Sequence, residues 1–156
     1  AVTLGYRAID IEANIAQALQ QMWKQSLGIT VKLTSVEGGG YGKLARSGTY
    51  NISSLGWGMD YPDANNIHAE LFHSSVGHKS FPVIPAYDKA IDQAGGELDA
   101  AVRSKLYRQA ETLLVQEHAG IIPLFYRASN YVVSPRASFK ASPPIFHWEF
   151  WRWTKK

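Results

Sequence analysis

The stretch Asn51-Ile52-Ser53-Ser54-Leu55-Gly56-Trp57-Gly58-Met59-Asp60-Tyr61-Pro62-Asp63 decides how the rest of the chain is organised. Tyr50 to Leu55 has the length and apolar content of a buried strand, and two glycines flanking a tryptophan then turn the chain. A lone carboxylate, Asp60, follows just before a proline-bearing loop. In open α/β sheets ligands sit beyond the carboxyl ends of the strands, so a site is expected here. Gly56 and Gly58 let a ligand backbone come close, Trp57 supplies a flat apolar wall and Asp60 a fixed negative charge. That set suits a cationic ligand with an amide backbone. The same residues also suit a plain structural turn, in which the Asp caps the next helix and the Trp fills the core.

Upstream, Val2 to Tyr6 predicts a strand. Asp10 stands at an N-cap position, ahead of a helix with Ile11, Ile15, Ala18, Leu19 and Met22 as its inward face and Gly28 as its stop. Ile29 to Val36 alternates apolar and polar residues with β-branched enrichment, a second strand. Glu37-Gly38-Gly39-Gly40 predicts a flexible joint, Tyr41 to Arg46 a short helix, and Gly48-Thr49 leads into the third strand. Strand–helix–strand–helix–strand order predicts a parallel sheet with right-handed crossovers.

Downstream, a short helix is expected near Ala64 to Phe72, then a polar loop from His73 to Ser80. Pro85 to Ala94 forms a helix with Pro in its first turn. Asp99 caps another, with Val102, Leu106, Ala110, Leu113 and Leu114 on one face and Gly120 as its stop. Tyr87, Tyr107, Trp23 and Leu113 fall in helical patterns and read as core. Ile121 to Tyr126 is too apolar and short for a surface helix, and Pro123 makes it an edge or crossing strand. Asn130 to Val133 resumes as a strand, and Ser142 to Trp153, rich in aromatics, is expected to be extended and packed on the rest.

With 156 residues and 46% hydrophobic content the chain can bury a real core as one domain or one lobe. No apolar run approaches the roughly 18 residues of a spanning helix. The abrupt start without Met is expected of a processed chain or an excised piece of a longer one. A net charge of +3 with scattered Lys and Arg makes no basic stripe, which argues against nucleic acid as a partner. The absence of cysteine excludes disulfides and thiolate chemistry.

Several rival constellations fail on spacing. His68, His73 and His78 recur every five residues, which puts them on no single helix face, so solvated loop histidines are expected and no metal site. Gly38 to Lys43 is not a phosphate loop, because Glu37 stands at the first glycine position and Leu44 at the magnesium-binding hydroxyl. Asp63-Ala64-Asn65 opens like a calcium loop but continues with Ile67 and His68. Neither a nucleophile elbow nor a catalytic triad can be named.

Several elements together carry a resemblance. They are the helix ending Met22-Trp23-Lys24-Gln25-Ser26-Leu27-Gly28-Ile29 with Val31 after it, Gly48-Thr49-Tyr50 entering a strand, and Gly56 to Asp63. The Tyr107-to-Glu117 helix and Ile122-Pro123-Leu124-Phe125-Tyr126 complete the set. In order and spacing the chain resembles the family 5 solute-binding proteins of peptide ABC importers, the oligopeptide and dipeptide binders. Such proteins have two lobes joined by hinge strands, with the peptide enclosed between them. The resemblance implies that residues 1–156 are a single α/β lobe, the C-terminal one. Its fold would be of the type II periplasmic-binding-protein kind, a mostly parallel sheet with flanking helices.

It implies further a periplasmic or extracytoplasmic peptide carrier without catalysis or cofactor. Its partners would be a short peptide, the missing N-terminal lobe and a membrane permease. On the matching positions, Asp60 pairs with the peptide's α-ammonium group and Trp57, Gly58 and Met59 run beside its main chain, with Tyr61 and Tyr126 as further ligand-binding residues. Arg127 is either a partner for a peptide carboxylate or a solvated strand-end residue. The chain departs from the family's pattern, in which many members carry an acidic–aromatic pair near the position of Glu37, because here Gly38-Gly39-Gly40 intervenes before Tyr41; that opens the ligand class to nickel chelates, haem, sugars and murein peptides. Two other classes remain open: the sensing half of a transcription regulator, and a hydrolase using Asp60 and Asp63.

Overall fold

The computed structural model describes residues 1–126, 134–139 and 153–155. Strand β1 (Val2–Arg7) lies in the middle of a three-stranded sheet, between β2 (Val31–Val36) and β3 (Ile52–Ser53), and both pairings are parallel. Helix α1 (Asp10–Leu27) links β1 to β2, and α2 (Gly38–Ala45) links β2 to β3. This is the predicted alternation. A parallel pair needs a long crossover, and each crossover here is a helix.

Helix α1 stops as expected. Gly28 takes φ 67°, ψ 14°, and the N–H groups of Gly28 and Ile29 close on the carbonyls of Lys24 and Trp23. Its start differs from expectation, and of its expected inward face Ile15 and Leu19 are half-buried while Ile11, Ala18 and Met22 are exposed. Ile9, in extended conformation, is the N-cap, while Asp10 is already helical and makes no capping bond. The first turn is tied back instead by Glu12, which accepts from the Arg7 N–H at 3.0 Å and from its guanidinium at 2.7 Å. Ala16 is the buried residue of α1, packed with Leu4 and Val31 and flanked by Trp23, whereas Ile11 is 52% and Met22 59% exposed. The helix carries two apolar stripes, and the sheet takes the one whose small residue allows close approach.

Helix α2 forms through the three glycines expected to be a joint. Tertiary anchoring overrides the propensity. Tyr41 is buried with its hydroxyl against the carbonyls of Gly5 and Ser54, and Ala45 is buried with its carbonyl bonded by the Ser80 hydroxyl. Strand β3 is shorter than the predicted Tyr50–Leu55. At its start the Asn51 side chain bonds Thr3 in place of a ladder, and at its end the Ser54 N–H still donates to Gly5 O at 2.9 Å.

The second half is helical. Helix α3 (Ala64–Ile67) runs on as a π-helical turn over His68–Phe72, a 3₁₀ turn covers Ser74–Val76, and α4 (Pro85–Gly96) packs against α5 (Ala100–Glu111). Helix α5 continues as a π-helical turn over Thr112–Glu117. Pro85 sits in the first turn of α4, and Asp99 caps α5 by accepting from the N–H groups of Ala101 and Val102. Tyr87, Ala94, Ala110 and Leu114 centre this core, with Tyr107 buried beside them as predicted. Leu113 packs half-buried against it, and Val102 is exposed at the outer edge of α5.

The predicted strand over Ile121–Tyr126 is absent. No sheet neighbour lies beside it among the described residues, and Ile122, Leu124, Phe125 and Tyr126 are exposed. Strands β4 (Ala137–Phe139) and β5 (Trp153–Lys155) pair antiparallel. The strand expected at Asn130–Val133, Arg127, and the aromatic segment apart from Trp153 lie outside the described residues.

His68 corrects another expectation. It is 7% exposed, stacked on Tyr107 with ring centroids 5.3 Å apart, and its Nδ1 lies 3.0 Å from the Tyr87 hydroxyl. That hydroxyl donates to the His68 carbonyl, so its oxygen accepts and the ring proton belongs on Nδ1. Burial lowers the His68 pKa from 6.5, against a weaker opposing pull from Glu111. A depressed histidine pKa means that the unfolded chain takes the proton first. The His68 contribution is therefore complete above about pH 6.5 and declines as pH falls below it. Urea midpoints measured between pH 7 and 5 are expected to drop, with a shallower drop for His68→Gln; equal slopes would contradict the assignment.

Candidate functional site

The loop after β3 emerges at the carboxyl end of the sheet, where the sequence placed it. Its root is fixed by Tyr41. Ser54 N–H already occupies Gly5 O, so the single Tyr41 hydroxyl proton is best directed to Ser54 O, and burial raises the phenol's pKa well above its ordinary range. Beyond Ser54, among the described residues, no backbone N–H of residues 55–62 bonds to another backbone group.

Side chains hold the loop instead. Asn66, fully buried on α3, accepts at Oδ1 from the Trp57 indole N–H at 2.8 Å and from the Asp60 backbone N–H at 3.2 Å. Its Nδ2 donates to Glu70 Oε2 at 3.1 Å and, at 3.5 Å, more weakly to Asp60 Oδ2. The amide orientation follows from those partners, because the flipped amide would set N–H against N–H and oxygen against carboxylate. Tyr61 donates its hydroxyl to Glu70 Oε1 at 2.8 Å. Asp60 is exposed, and among the described residues its Oδ1 accepts no protein hydrogen bond.

Helix α3 is itself braced from a distance. Asp63 caps it by accepting from the Asn65 N–H, and Arg103 of α5 pairs with both Asp63 oxygens at 2.8 Å. The guanidinium holds the Asp63 pKa below its ordinary 3.8. Arg103 also bonds the Ala94 carbonyl and lies over the Tyr107 ring, which joins the site's base to the helical core.

These contacts separate the two readings of the stretch. Asp63 is the helix cap, which leaves Asp60 free of that role, and Trp57 is 37% exposed rather than core. Among the described residues no atom lies within 4 Å of where a Cβ on Gly56 or Gly58 would stand, and neither residue has positive φ. Their missing side chains thus serve no packing among the described residues. Trp57, Met59, Asp60 and Tyr61 are brought to one loop. Tyr126 is fully exposed in an unpaired segment, and no contact joins it to that loop among the described residues. Asn66, Glu70 and Arg103 were not anticipated.

A cleft of about 350 Å³ lined by Phe72, His73, His78 and Phe81 includes none of the candidate residues. Among the described residues no group of three or more His, Asp or Glu side chains could hold a metal ion. Nor is any described helix long and apolar enough to cross a membrane.

Residues 3–79 match the family model described as "Bacterial extracellular solute-binding proteins, family 5 Middle". The chain is 32% identical over 133 residues to the oligopeptide-binding protein OppA of Bacillus subtilis, covering 84% of this chain and 24% of that one. It is 31% identical over 132 residues to the probable deoxycholate-binding periplasmic protein YgiS of Escherichia coli, covering 85% of this chain and 24% of that protein. The structure of the Escherichia coli murein tripeptide binding protein MppA superposes with a TM-score of 0.79 at 29% identity, over 88% of this chain and 27% of that one. The chain thus spans about a quarter of the length of the curated relatives it matches. Its fold is that of the periplasmic binding proteins, an α/β unit with a parallel three-stranded sheet and flanking helices. With sequence and structure in agreement, the chain belongs to the family 5 bacterial extracellular solute-binding proteins.

Proposed function

We propose that residues 1–156 form one lobe of a longer two-lobe protein, and that this protein captures short peptides outside the cytoplasm for an ABC importer. Binding without chemistry is the reading, with no cofactor. The observation that carries it is the exposed Asp60 carboxylate, one of whose oxygens accepts no hydrogen bond among the described residues, in the loop after β3 that also holds Gly56 and Gly58. A carboxylate so placed accepts a short charge-assisted hydrogen bond from an ammonium group. The glycine-flanked backbone offers main-chain pairing that ignores side chains. Relatives named for oligopeptide and murein peptide binding support the class of ligand.

A second reading comes from the relative named for deoxycholate. Deoxycholate is an anion, and the two carboxylates of Asp60 and Glu70 around one amide nitrogen disfavour it here. Calorimetric titration of the two-lobe protein with short free-amine peptides, their N-acetylated forms and deoxycholate separates the possibilities. Heat from free-amine peptides alone is expected; binding of deoxycholate in their place would overturn the peptide reading.

Gly58→Val tests the main-chain wall. No described residue occupies that space, so stability is expected to stay within about 0.5 kcal/mol. Peptide affinity is expected to fall roughly tenfold or more, as for a methyl pair forced into a packed contact. Unchanged affinity would remove Gly58 from the ligand surface.

A further inference from the structure

We propose that Asn66 is the positioning residue of this site, fixing the Trp57 ring and the Asp60 carboxylate relative to each other through one side-chain amide. The inference rests on the peptide reading for its purpose, but on the loop's own bonding for its substance. Residues 55–62 have no backbone ladder among the described residues, so their attachment must come from side chains. Asn66 supplies two of those attachments at one oxygen, to the indole N–H and to the Asp60 N–H. Its other half faces Asp60 Oδ2 and Glu70 Oε2, so the same amide sets both the place of the Asp60 backbone and the direction of its carboxylate.

Asn66 is suited to this by its own placement. It is fully buried, one turn into a helix whose cap, Asp63, is held by both arms of the Arg103 guanidinium. A buried amide with all of its hydrogens and its oxygen engaged is costly to rearrange, since any partner lost strands a polar group. The wall and the charge therefore arrive already oriented, which lowers the ordering cost that a ligand would otherwise bear. Asn66 touches no ligand in this account; it acts through Trp57 and Asp60.

The test needs no ligand. Hydrogen exchange of the Trp57 indole and the Asp60 amide is followed by NMR in the 156-residue chain, with the Leu4 amide of β1 as internal reference. Asn66→Leu keeps the volume and removes both halves of the amide. It is expected to speed exchange at those two sites roughly tenfold, the worth of one lost hydrogen bond, with Leu4 unchanged. Asn66→Asp keeps an acceptor for both N–H donors, and the facing carboxylates of Asp60 and Glu70 hold it protonated so that its hydroxyl still donates to Glu70; exchange at the two sites is expected to stay slower than in Asn66→Leu. If Asn66→Leu does not fold, Asn66→Ala carries the same expectation. The proposal is overturned if the two N–H groups are unaffected, if Leu4 accelerates equally with them, or if the Leu and Asp variants behave alike. A parent protein that binds no peptide, together with the expected exchange pattern, would instead sink the peptide reading and leave the positioning role standing.

Discussion

In the proposed two-lobe protein, Asp60→Asn is expected to weaken binding of free-amine peptides by a hundredfold or more and to leave N-acetylated peptides little changed. The magnitude follows from enclosure. When a closed cleft shuts water away from an ammonium–carboxylate pair, removing one charge strands the other at about 3–5 kcal/mol, a factor of roughly 10²–10³. In the 156-residue chain Asp60 is exposed, and an exposed ion pair contributes only about 0–1 kcal/mol. The same substitution should therefore look modest in the 156-residue chain and severe in the intact protein. Calorimetry on matched free and acetylated peptides reads the difference. Equal weakening of both kinds would mean that Asp60 shapes the loop and does not meet an ammonium group.

Gly5→Ala is expected to destabilise the fold by about 1–3 kcal/mol, the usual range for a methyl forced into a packed core. On conformational entropy alone, removing a glycine from a strand would be expected to stabilise by about 0.4–1 kcal/mol. The contact decides the sign. Gly5 is buried in the central strand, and a Cβ there would overlap the Tyr50 ring along its Cγ–Cδ2–Cε2 edge. The ring cannot swing clear from its tip alone, because the overlap reaches its base. Gly5 O also anchors the Ser54 N–H and lies against the Tyr41 hydroxyl, so the displacement runs into the root of the site loop. A lower urea midpoint with an unchanged slope is the expected result, and a higher midpoint would show that Tyr50 yields freely.

What the sequence disclosed and what it withheld divide along the range of the interactions. The start of β1, the stop at Gly28, the alternation of β2, Pro85 opening α4 and Asp99 capping α5 all rest on residues within a turn of each other. Those signals were legible. The inward face of α1 was not, because two apolar stripes share the helix and only the sheet selects between them. Helix formation through Gly38–Gly40 was hidden for the same reason: Tyr41 is held by β1 and the strand end, not by its neighbours. At the site, the exposed loop with Trp57 and Asp60 could be seen in the chain, since glycines and a lone carboxylate after a strand have a local meaning. Its support could not. Arg103 lies 40 residues from Asp63, and Asn66 looks in the sequence like any helical asparagine until the loop folds back on it. His68 likewise passed for a loop residue because its partners, Tyr87 and Tyr107, come from two later helices.

The proposed role of Asp60 is to hold the ammonium half of a peptide site. Its most direct test is NMR titration of the 156-residue chain with millimolar short free-amine peptides, with the N-acetylated set as control, following backbone amides and Trp indoles. Shifts confined to Gly56–Tyr61 and the Trp57 indole, and only with free amines, are the predicted result. Equal shifts from both sets, or shifts centred away from that loop, would contradict it.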